Sequence, residues 1–468
     1  MKLSNYNLSD TIAAIATFPA PAALGVVKIS GRKALPIVSK IFLPRGKKNI
    51  KKVPTYTLHY GWIIDSAFRK KRKNQIIDEV LVSIMRKPYS YTREDVVEIS
   101  SHGGAVVLNK ILSLVLKEGA RLAQPGEFSY RAFVNGRIDL SQAQTIVDIV
   151  EAKTERALFA LSRQLKGEFS YYFNQIKGLL KELLYKLEAY LNFPEEDTNI
   201  NIEEIKIGLK KTKRQLARFL KESRDSRIFR EGIRCVLCGK VNVGKSTLFN
   251  CLLKEEKAIV THIPRTTRDA IEETVSIKGL PIVISDTAGI LEPEDFIDTA
   301  AVEISYRKIR EADIVLFVLD ASVNFDKQDL TLWGKVKDKN VIFVVNKIDL
   351  SQKLNIDKLK TYGKPIVKIS ALNKTGIKEL ENTIFKMSYK GKVNIASNRF
   401  LLAKWQEDII RRVLVKIEEA SNLIDEGYSC DFILLPLREM LDEMGKLAGE
   451  NVNEEILSQI FSRFCIGK

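Results

Sequence analysis

The stretch "IRCVLCGKVNVGKSTLFNCLL", Ile233–Leu253, decides the fold. "IRCVLC" reads as a buried strand, and it runs directly into "GKVNVGKS", which is G-x-x-x-x-G-K-S from Gly239 to Ser246. The helical "TLFNCLL" follows. Strand, glycine-rich turn and helix in that order are the context of a phosphate-binding loop. Gly239 and Gly244 let backbone amides wrap the phosphates, Lys245 reaches the β- and γ-phosphates, and Ser246 holds magnesium. Cys235 and Cys238 point to opposite sides of such a strand, so they read as core residues and not as a shared zinc site.

Further motifs follow in order. "SDTAG" puts Asp286 after the apolar strand Leu280–Ser285. There its carboxylate orients the magnesium shell, and Gly289 senses the γ-phosphate. "NKID" follows the strand "VIFVV". Asp349 accepts two hydrogen bonds from guanine N–H groups that adenine cannot reciprocate, Asn346 supports the loop, and the Lys347 stem stacks on the base. "SAL", Ser370–Leu372, follows "PIVKI" and suits guanine O6 with its backbone amides. Together these motifs predict a GTPase rather than an ATPase. The residue after D-x-x-G is Ile290, which cannot orient water as the glutamine of Ras-like enzymes does. Thr267, in "THIPRTTRD", is a natural second magnesium ligand. Asn242, inside the phosphate loop, could coordinate a monovalent cation, placing positive charge where an arginine finger otherwise acts.

The 468 residues allow two to four domains. A hydrophobic content of 45% and a charged content of 28% are those of an ordinary soluble protein. No apolar run reaches the roughly 18 residues of a membrane span, and Met1–Asp10 resembles neither a signal nor a transit peptide. Five irregularly spaced cysteines suit a reducing compartment, so a cytoplasmic location is expected. Seventy-five basic against 58 acidic residues give +17, a balance that favours a polyanionic partner such as RNA. The run Arg69–Lys73 lies between strand-like segments and reads as a solvated hairpin tip.

Residues 1–120 contain strand-like runs, "LGVVKIS" and "DVVEIS", followed by the helix-like "VVLNKILSLVLKEG". From about Ser141 helical spacing takes over: Ile176, Leu180, Leu184, Leu187 and Leu191 recur at intervals of four and three. It resumes after Phe400. The expected architecture is therefore multidomain, mixed α/β and all-α. An N-terminal α+β domain (1–125) precedes a discontinuous helical domain (126–228 and 386–468). Into the latter a Ras-like GTPase domain with a parallel-rich sheet flanked by helices (229–385) is inserted. A switch held at both ends can lever the helices when its nucleotide changes. The chain ends "FCIGK". Gly467 and Lys468 argue against a prenylation box. Ile456, Ile460, Phe461 and Phe464 predict instead a docked helix carrying Cys465 to a fixed place.

Seven blocks together resemble the MnmE (TrmE) family of tRNA modification GTPases. They are "DTIAAIAT", "YTREDVVEISSHGG", "PGEFSYRAFVNGRIDLSQAQ", "FPEED", "TTRD", "DTAG" and "FCIGK". The resemblance covers all three regions. It implies GTP hydrolysis coupled to addition of an aminomethyl or carboxymethylaminomethyl group at C5 of the wobble uridine of certain tRNAs. An FAD-dependent MnmG/GidA-type partner would act with it in a hetero-oligomer. It also implies a homodimer formed through the N-terminal domain, and a tetrahydrofolate derivative, in the 5-formyl or methylene form, as one-carbon donor. By position the folate-binding residues are Lys28, Glu98, Arg137 and Lys468, which sets the tail beside the folate. The GTP-binding set comprises Asn242, Val243, Gly244, Lys245, Ser246, Thr247, Thr261, Thr266, Thr267, Asp286, Thr287, Ala288, Gly289, Asn346, Lys347, Asp349, Ser370 and Ala371. Magnesium falls to Ser246 and Thr267. Potassium falls to Asn242, Thr261, Ile263 and Thr266. Asp298 and Cys465 take the catalytic positions.

This chain departs from the family pattern at several of these positions. "APAAL", Ala20–Leu24, replaces a glycine- and arginine-rich turn, and Lys28 replaces an arginine, keeping charge but losing the bidentate fork. Pro264 and Arg265 replace small residues before "TTRD". Asp298 stands for a glutamate, one methylene short, with Glu294 and Asp295 as rivals. The competing function is a ribosome-assembly or regulatory GTPase switch, which would need neither the N-terminal blocks nor the tail thiol.

Overall fold

A computed structural model of the chain describes residues 8–18, 20–46, 49–65, 75–192, 202–223, 226–255, 272–286, 307–389 and 400–468. The chain divides into two compact units, one of residues 1–147, 164–216 and 404–468, the other of 148–163 and 217–403. It is multidomain, with mixed α/β parts and an all-α part. Among the described residues no helix is long and apolar enough to cross a membrane.

The first unit opens with a seven-stranded sheet. Its strands are β1 (Ile12–Ile15), β2 (Ala22–Ser30), β3 (Phe42–Pro44), β4 (Thr57–Ile64), β5 (Ile76–Met85), β6 (Val96–Gly103) and β7 (Arg121–Leu122). They lie in the order β3-β4-β5-β6-β2-β1-β7, every neighbouring pair antiparallel except β1 and β7. Alternation of β-branched and polar residues fixes which face is buried. Val27, Ile29, Val97, Ile99, Val80, Val82 and Ile63 form one core with helices α1 (Ala34–Ile41) and α2 (Ala105–Lys117). On the opposite face Lys28 stands directly across from Glu98. Leu43, Leu58, Tyr60 and Leu81 are exposed. The Arg69–Lys73 run lies outside the described residues, between β4 and β5, which pair antiparallel.

Buried charge holds the near end of this sheet. Arg131, on α3 (Glu127–Val134), is wholly buried. It donates to Asp10 Oδ1 at 2.6 Å, Glu127 Oε1 at 3.0 Å and Glu94 Oε1 at 3.1 Å. Arg121, on β7, reaches the same Asp10 at 2.7 Å and Glu127 at 2.6 Å. Burial pushes the Asp10 carboxyl up, but the two guanidiniums outweigh it and hold its pKa below the usual value. Four chain segments far apart in sequence meet here, counting Ser30 of β2, which donates to Glu94 at 2.6 Å.

Long helices make up the rest of the unit: α4 (Leu140–Val150), α6 (Glu168–Asn192) and α7 (Ile202–Ser223), then, late in the chain, α13 (Lys404–Asp425), α14 (Cys430–Ala448) and α15 (Glu454–Phe461); the intervening α5 (Glu155–Leu165) falls almost wholly in the second unit. The expected stripe appears on α6, where Ile176, Leu180, Leu184 and Leu187 are buried. The two halves of this discontinuous part are joined by polar contacts. Gln406 donates to Ser141 Oγ at 3.1 Å, and Ser141 donates to the Leu447 carbonyl at 2.8 Å.

The second unit holds a six-stranded sheet of β8 (Ile233–Cys238), β9 (Glu272–Ile277), β10 (Leu280–Asp286), β11 (Ile314–Asp320), β12 (Val341–Asn346) and β13 (Ile366–Lys368). Its order is β13-β12-β11-β8-β10-β9, with only β9 antiparallel to its neighbour. The helix α8 (Ser226–Glu231) precedes β8, α9 (Lys245–Glu255) follows it, α10 (Lys327–Val336) joins β11 to β12, α11 (Ile356–Lys360) joins β12 to β13, and α12 (Ile377–Tyr389) follows β13. Apolar cores lie on both faces, Cys235 in one and Cys238 in the other. Burial raises their thiols to about 12 and about 11, as inert core residues require. Ala157 and Leu161 of α5 pack in the first of these cores with Phe229 and Ile233.

Removing Arg131 would strand the fully buried Glu127 and Asp10 with only Arg121 for compensation. Arg131→Ala should destabilise the chain by about 3–5 kcal/mol, read as a lowered midpoint in urea denaturation. A midpoint equal to that of the unaltered chain would show the network to be dispensable.

Candidate functional site

The parallel strands β8, β11 and β12 deliver three loops to one end of the second sheet. The loop after β8 turns through Asn242, at φ +62°, and Gly244, at φ +93°. A Cβ at Gly244 would lie 2.3 Å from Asn346 Nδ2, so no larger residue fits. Lys245 then opens α9, and its buried ammonium donates to the carbonyls of Gly239 at 2.9 Å and Lys240 at 2.6 Å. Ser246 and Thr247 are exposed on the first turn. The helix N-terminus and the positive-φ loop aim amides and a dipole outward, which suits an anionic phosphate.

Asn346 is the joint of this site. It is buried, donates to the Val243 carbonyl at 2.9 Å and accepts from the Ala371 amide at 3.0 Å. One side chain thus fixes the phosphate loop, the "NKID" turn and the "SAL" turn against each other. Lys347, at φ +62°, pairs with Asp320 at 2.6 Å. Burial raises the Asp320 carboxyl, yet its hydrogen bonds from Lys347 and Ser322 bring the pKa below the usual value. Asp349 is exposed one turn on, and Ser370 Oγ accepts from the Asn373 amide at 3.2 Å. Asp286 ends β10, its backbone in register with Leu237 of β8. Thr261, Ile263, Thr266, Thr267, Thr287, Ala288, Gly289 and Asp298 lie outside the described residues, as do Pro264, Arg265 and Ile290.

A feature the sequence reading passed over flanks the phosphate loop. Lys240 pairs with Asp326 at 2.7 Å and Asp329 at 2.8 Å, both in the capping box that starts α10. A cavity of about 440 Å³ lies beside it, lined by Val241, Asn242, Asp320, Gln328 and Lys347 among others. Only the x positions of the loop motif carry this contact, so the motif itself gave no signal.

In the first unit the open sheet face forms a second polar site. Lys28 Nζ sits 3.6 Å from Glu98 Oε1, 5.0 Å from the Tyr91 ring centre and 5.3 Å from that of Phe128. Burial lowers the Lys28 pKa. Glu98 opposes that shift, and the positive charge of Lys468 adds to it. Lys28 and Glu98 thus meet, and Lys468 lies near enough for its charge to act on Lys28. Arg137 acts on Tyr91, whose phenol burial pushes up against a hydrogen bond with Ser129. The aromatic walls Tyr91 and Phe128 were not singled out, although both lie inside quoted blocks.

The expected helix leads the tail to this site. The helix α15 ends at Phe461, and Cys465 follows it in a turn, exposed. Phe461 stacks on Phe464 and packs edge-on to Tyr130. Gly467 is buried at φ +96°, where a Cβ would stand 2.8 Å from Ala16 Cα and the Ile15 carbonyl. The tail can therefore lie against β1 only with glycine at that position.

Two family models match the chain: "GTP-binding protein TrmE N-terminus" over residues 11–137 and "MnmE helical domain" over residues 140–465. The chain is 46% identical over 462 residues to the tRNA modification GTPase MnmE of Thermoanaerobacter pseudethanolicus, covering 98% of this chain and 99% of that one. It is 41% identical to the protein of that name from Carboxydothermus hydrogenoformans, over 98% and 100% of the two chains. With the Bacillus pumilus protein of the same name it shares 39% identity over 98% and 100%.

The exposed carboxylate of Asp349 is the one group at the "NKID" turn able to accept from a base N–H. Asp349→Asn should weaken GTP binding by about 1.5–3 kcal/mol for each charge-assisted hydrogen bond lost. Xanthosine triphosphate should become the better ligand, because its extra carbonyl then meets a donor. Competition binding with the two nucleotides reads this out, and a variant that still prefers GTP would remove Asp349 from base recognition.

Proposed function

We infer the function from the family to which this chain belongs, the MnmE family of tRNA modification GTPases. The chain is a GTP-hydrolysing enzyme of tRNA modification that takes GTP with Mg²⁺. The finer reading is our proposal. With a flavin-dependent partner, the enzyme adds an aminomethyl or carboxymethylaminomethyl group at C5 of the wobble uridine, and a reduced folate supplies the one-carbon unit. The observation that supports it is the half-buried Lys28–Glu98 pair beside the rings of Tyr91 and Phe128, near enough to Lys468 to feel its charge. A timing switch for ribosome assembly has no use for such a pocket.

In this reading Glu98 accepts from the N–H edge of the pterin, Tyr91 and Phe128 provide its apolar walls, and Lys28, Arg137 and Lys468 hold the glutamate tail. Lys28, buried and beside a second cation, favours an anionic ligand that would restore charge balance. Cys465, exposed on the tail two residues from Gly467, presents a thiol to the chemistry next to that ligand.

At the other site Asn346 holds the three loops in register while Lys245 and the amides of the phosphate loop take the phosphates. Ser246 and Thr267 are the proposed Mg²⁺ ligands; Asn242, Thr261, Ile263 and Thr266 are the proposed K⁺ ligands. Bound there, these cations would supply positive charge against the charge that develops on the transferred phosphoryl group. Asp298 is the proposed group that orients water. We further propose a homodimer through the N-terminal sheet, supported by the exposed Leu43, Leu58, Tyr60 and Leu81, and a cytoplasmic location beside tRNA.

Two measurements test this reading. Nucleoside mass spectrometry of tRNA from a deletion strain should show unmodified wobble uridine, restored by the wild-type chain and not by Cys465→Ser, while GTP turnover of the variant stays normal. Unchanged wobble uridines in the deletion strain would sink the modification reading.

The second measurement follows from the lowered Lys28 pKa. As pH rises through that value Lys28 loses its charge, so affinity for 5-formyltetrahydrofolate should fall before the ordinary lysine value of 10.5 is reached. Lys28→Arg, which stays charged, should hold its affinity over the same range. Parallel pH profiles for the two proteins would take Lys28 out of the folate pocket.

A further inference from the structure

A groove in the helical part of the first unit is used by neither site. It lies between α6 and α7 and encloses about 400 Å³. Tyr172, Gln175, Leu179 and Glu182 line it from α6, Lys211 and Gln215 from α7. Two glycines explain its existence. The helices close tightly at Gly208, where an added Cβ would lie 2.7 Å from the Leu183 side chain. At Gly178 a side chain would meet nothing within 4 Å, so the helices part there.

The rim is basic. Lys181, Lys211 and Arg214 are exposed, and none pairs with a carboxylate among the described residues. Other lysines of α7 behave differently: Lys206 pairs with Asp425, and Lys213 with Glu418 at 2.8 Å. Glu182, the carboxylate of the groove, shares Lys186 with Glu204, each at 3.4 Å. Tyr171 and Tyr185 are exposed on α6, 68% and 60%. Gln215 Oε1 is buried with no hydrogen-bond partner.

We propose that this groove holds an unpaired nucleotide of the tRNA, its base inside and its flanking phosphates on Lys181, Lys211 and Arg214. The inference rests on the tRNA-modifying function above and adds a docking surface to it. Unpaired RNA bases are held by stacking and by hydrogen bonds at their edges, and the backbone by cations. Tyr172 and Leu179 give the base its walls. Gln215, which lines the groove, adds an amide of the kind that pairs with a base edge. A peptide carboxylate would meet the Glu182 carboxylate in the groove, whereas a neutral base would not, so the groove favours RNA over an acidic peptide.

The test measures tRNA binding by fluorescence anisotropy across a salt series, using the full chain. The triple variant Lys181→Ala/Lys211→Ala/Arg214→Ala should lose at least tenfold in affinity. The slope of log K against log salt should become shallower by about 2, from roughly 0.7 per single-strand phosphate contact. Gly178→Leu, which fills the groove with a better helix former, should lose affinity with little change of slope. Thermal unfolding and GTP turnover, unchanged in both variants, report that each is folded. Wild-type affinity and slope in both variants would overturn the groove alone. Retained tRNA affinity with lost binding of the flavoprotein partner would overturn it in favour of a protein occupant. A wild-type chain that binds no tRNA would overturn both the groove and the tRNA-modifying function on which it rests.

Discussion

The buried guanidinium of Arg131 is the constraint on which the first unit depends. A fully buried cation is tolerated only with opposite charge and hydrogen bonds at hand, and Arg131 has Asp10, Glu94 and Glu127. Those partners precede β1, precede β6 and open α3. Satisfying one side chain therefore fixes three segments that share no local sequence. The consequence reaches the polar site: with α3 fixed, Phe128 and Ser129 are held against Lys28 and Tyr91. Phe461 and Phe464 then have an aromatic surface in Tyr130 and Phe133 on which to dock.

Asn346 plays the corresponding part in the second unit with neutral chemistry. Its amide has one donor and one acceptor side, and both are used, on loops 103 and 25 residues away. An aspartate could accept but not donate, and a leucine could do neither. The nucleotide site is thus preorganised by a group that need not touch the base. Lys240, bound to the capping box of α10, braces the same loop from its other side.

Much of this was legible in the sequence, for physical reasons. The phosphate loop, the strands before "NKID" and "SAL", and the stripe of α6 all announce themselves by local period and spacing, because local backbone geometry dictates them. The opposed burial of Cys235 and Cys238 follows from strand period alone. What was not legible depends on contacts across the chain. Arg131 sits in "GEFSYRAF" with only Glu127 of its partners nearby, and an i,i+4 pair of this kind reads equally as a solvated one; Asp10 and Glu94 are 121 and 37 residues distant. The spacing predicts a docked helix that carries Cys465 to a fixed place, and Glu454–Phe461 is that helix. Apolar spacing continues to Phe464, but Ser462 caps the helix and Phe464 stacks back on Phe461, so the last residues turn instead.

The turn changes what the thiol can do. In a docked helix Cys465 would have a fixed direction and a packed environment. In the turn it is exposed while its neighbours are anchored on both sides, Phe464 in an aromatic cluster and Gly467 against β1. Lys468 is thereby carried near enough to Lys28 for its charge to act on it, and Lys28 meets the carboxylate of Glu98. Burial of the Lys28 ammonium is the main reason its pKa is lowered, with Glu98 opposing the shift and the Lys468 charge adding a smaller push. An anion placed at this position would offset part of that desolvation.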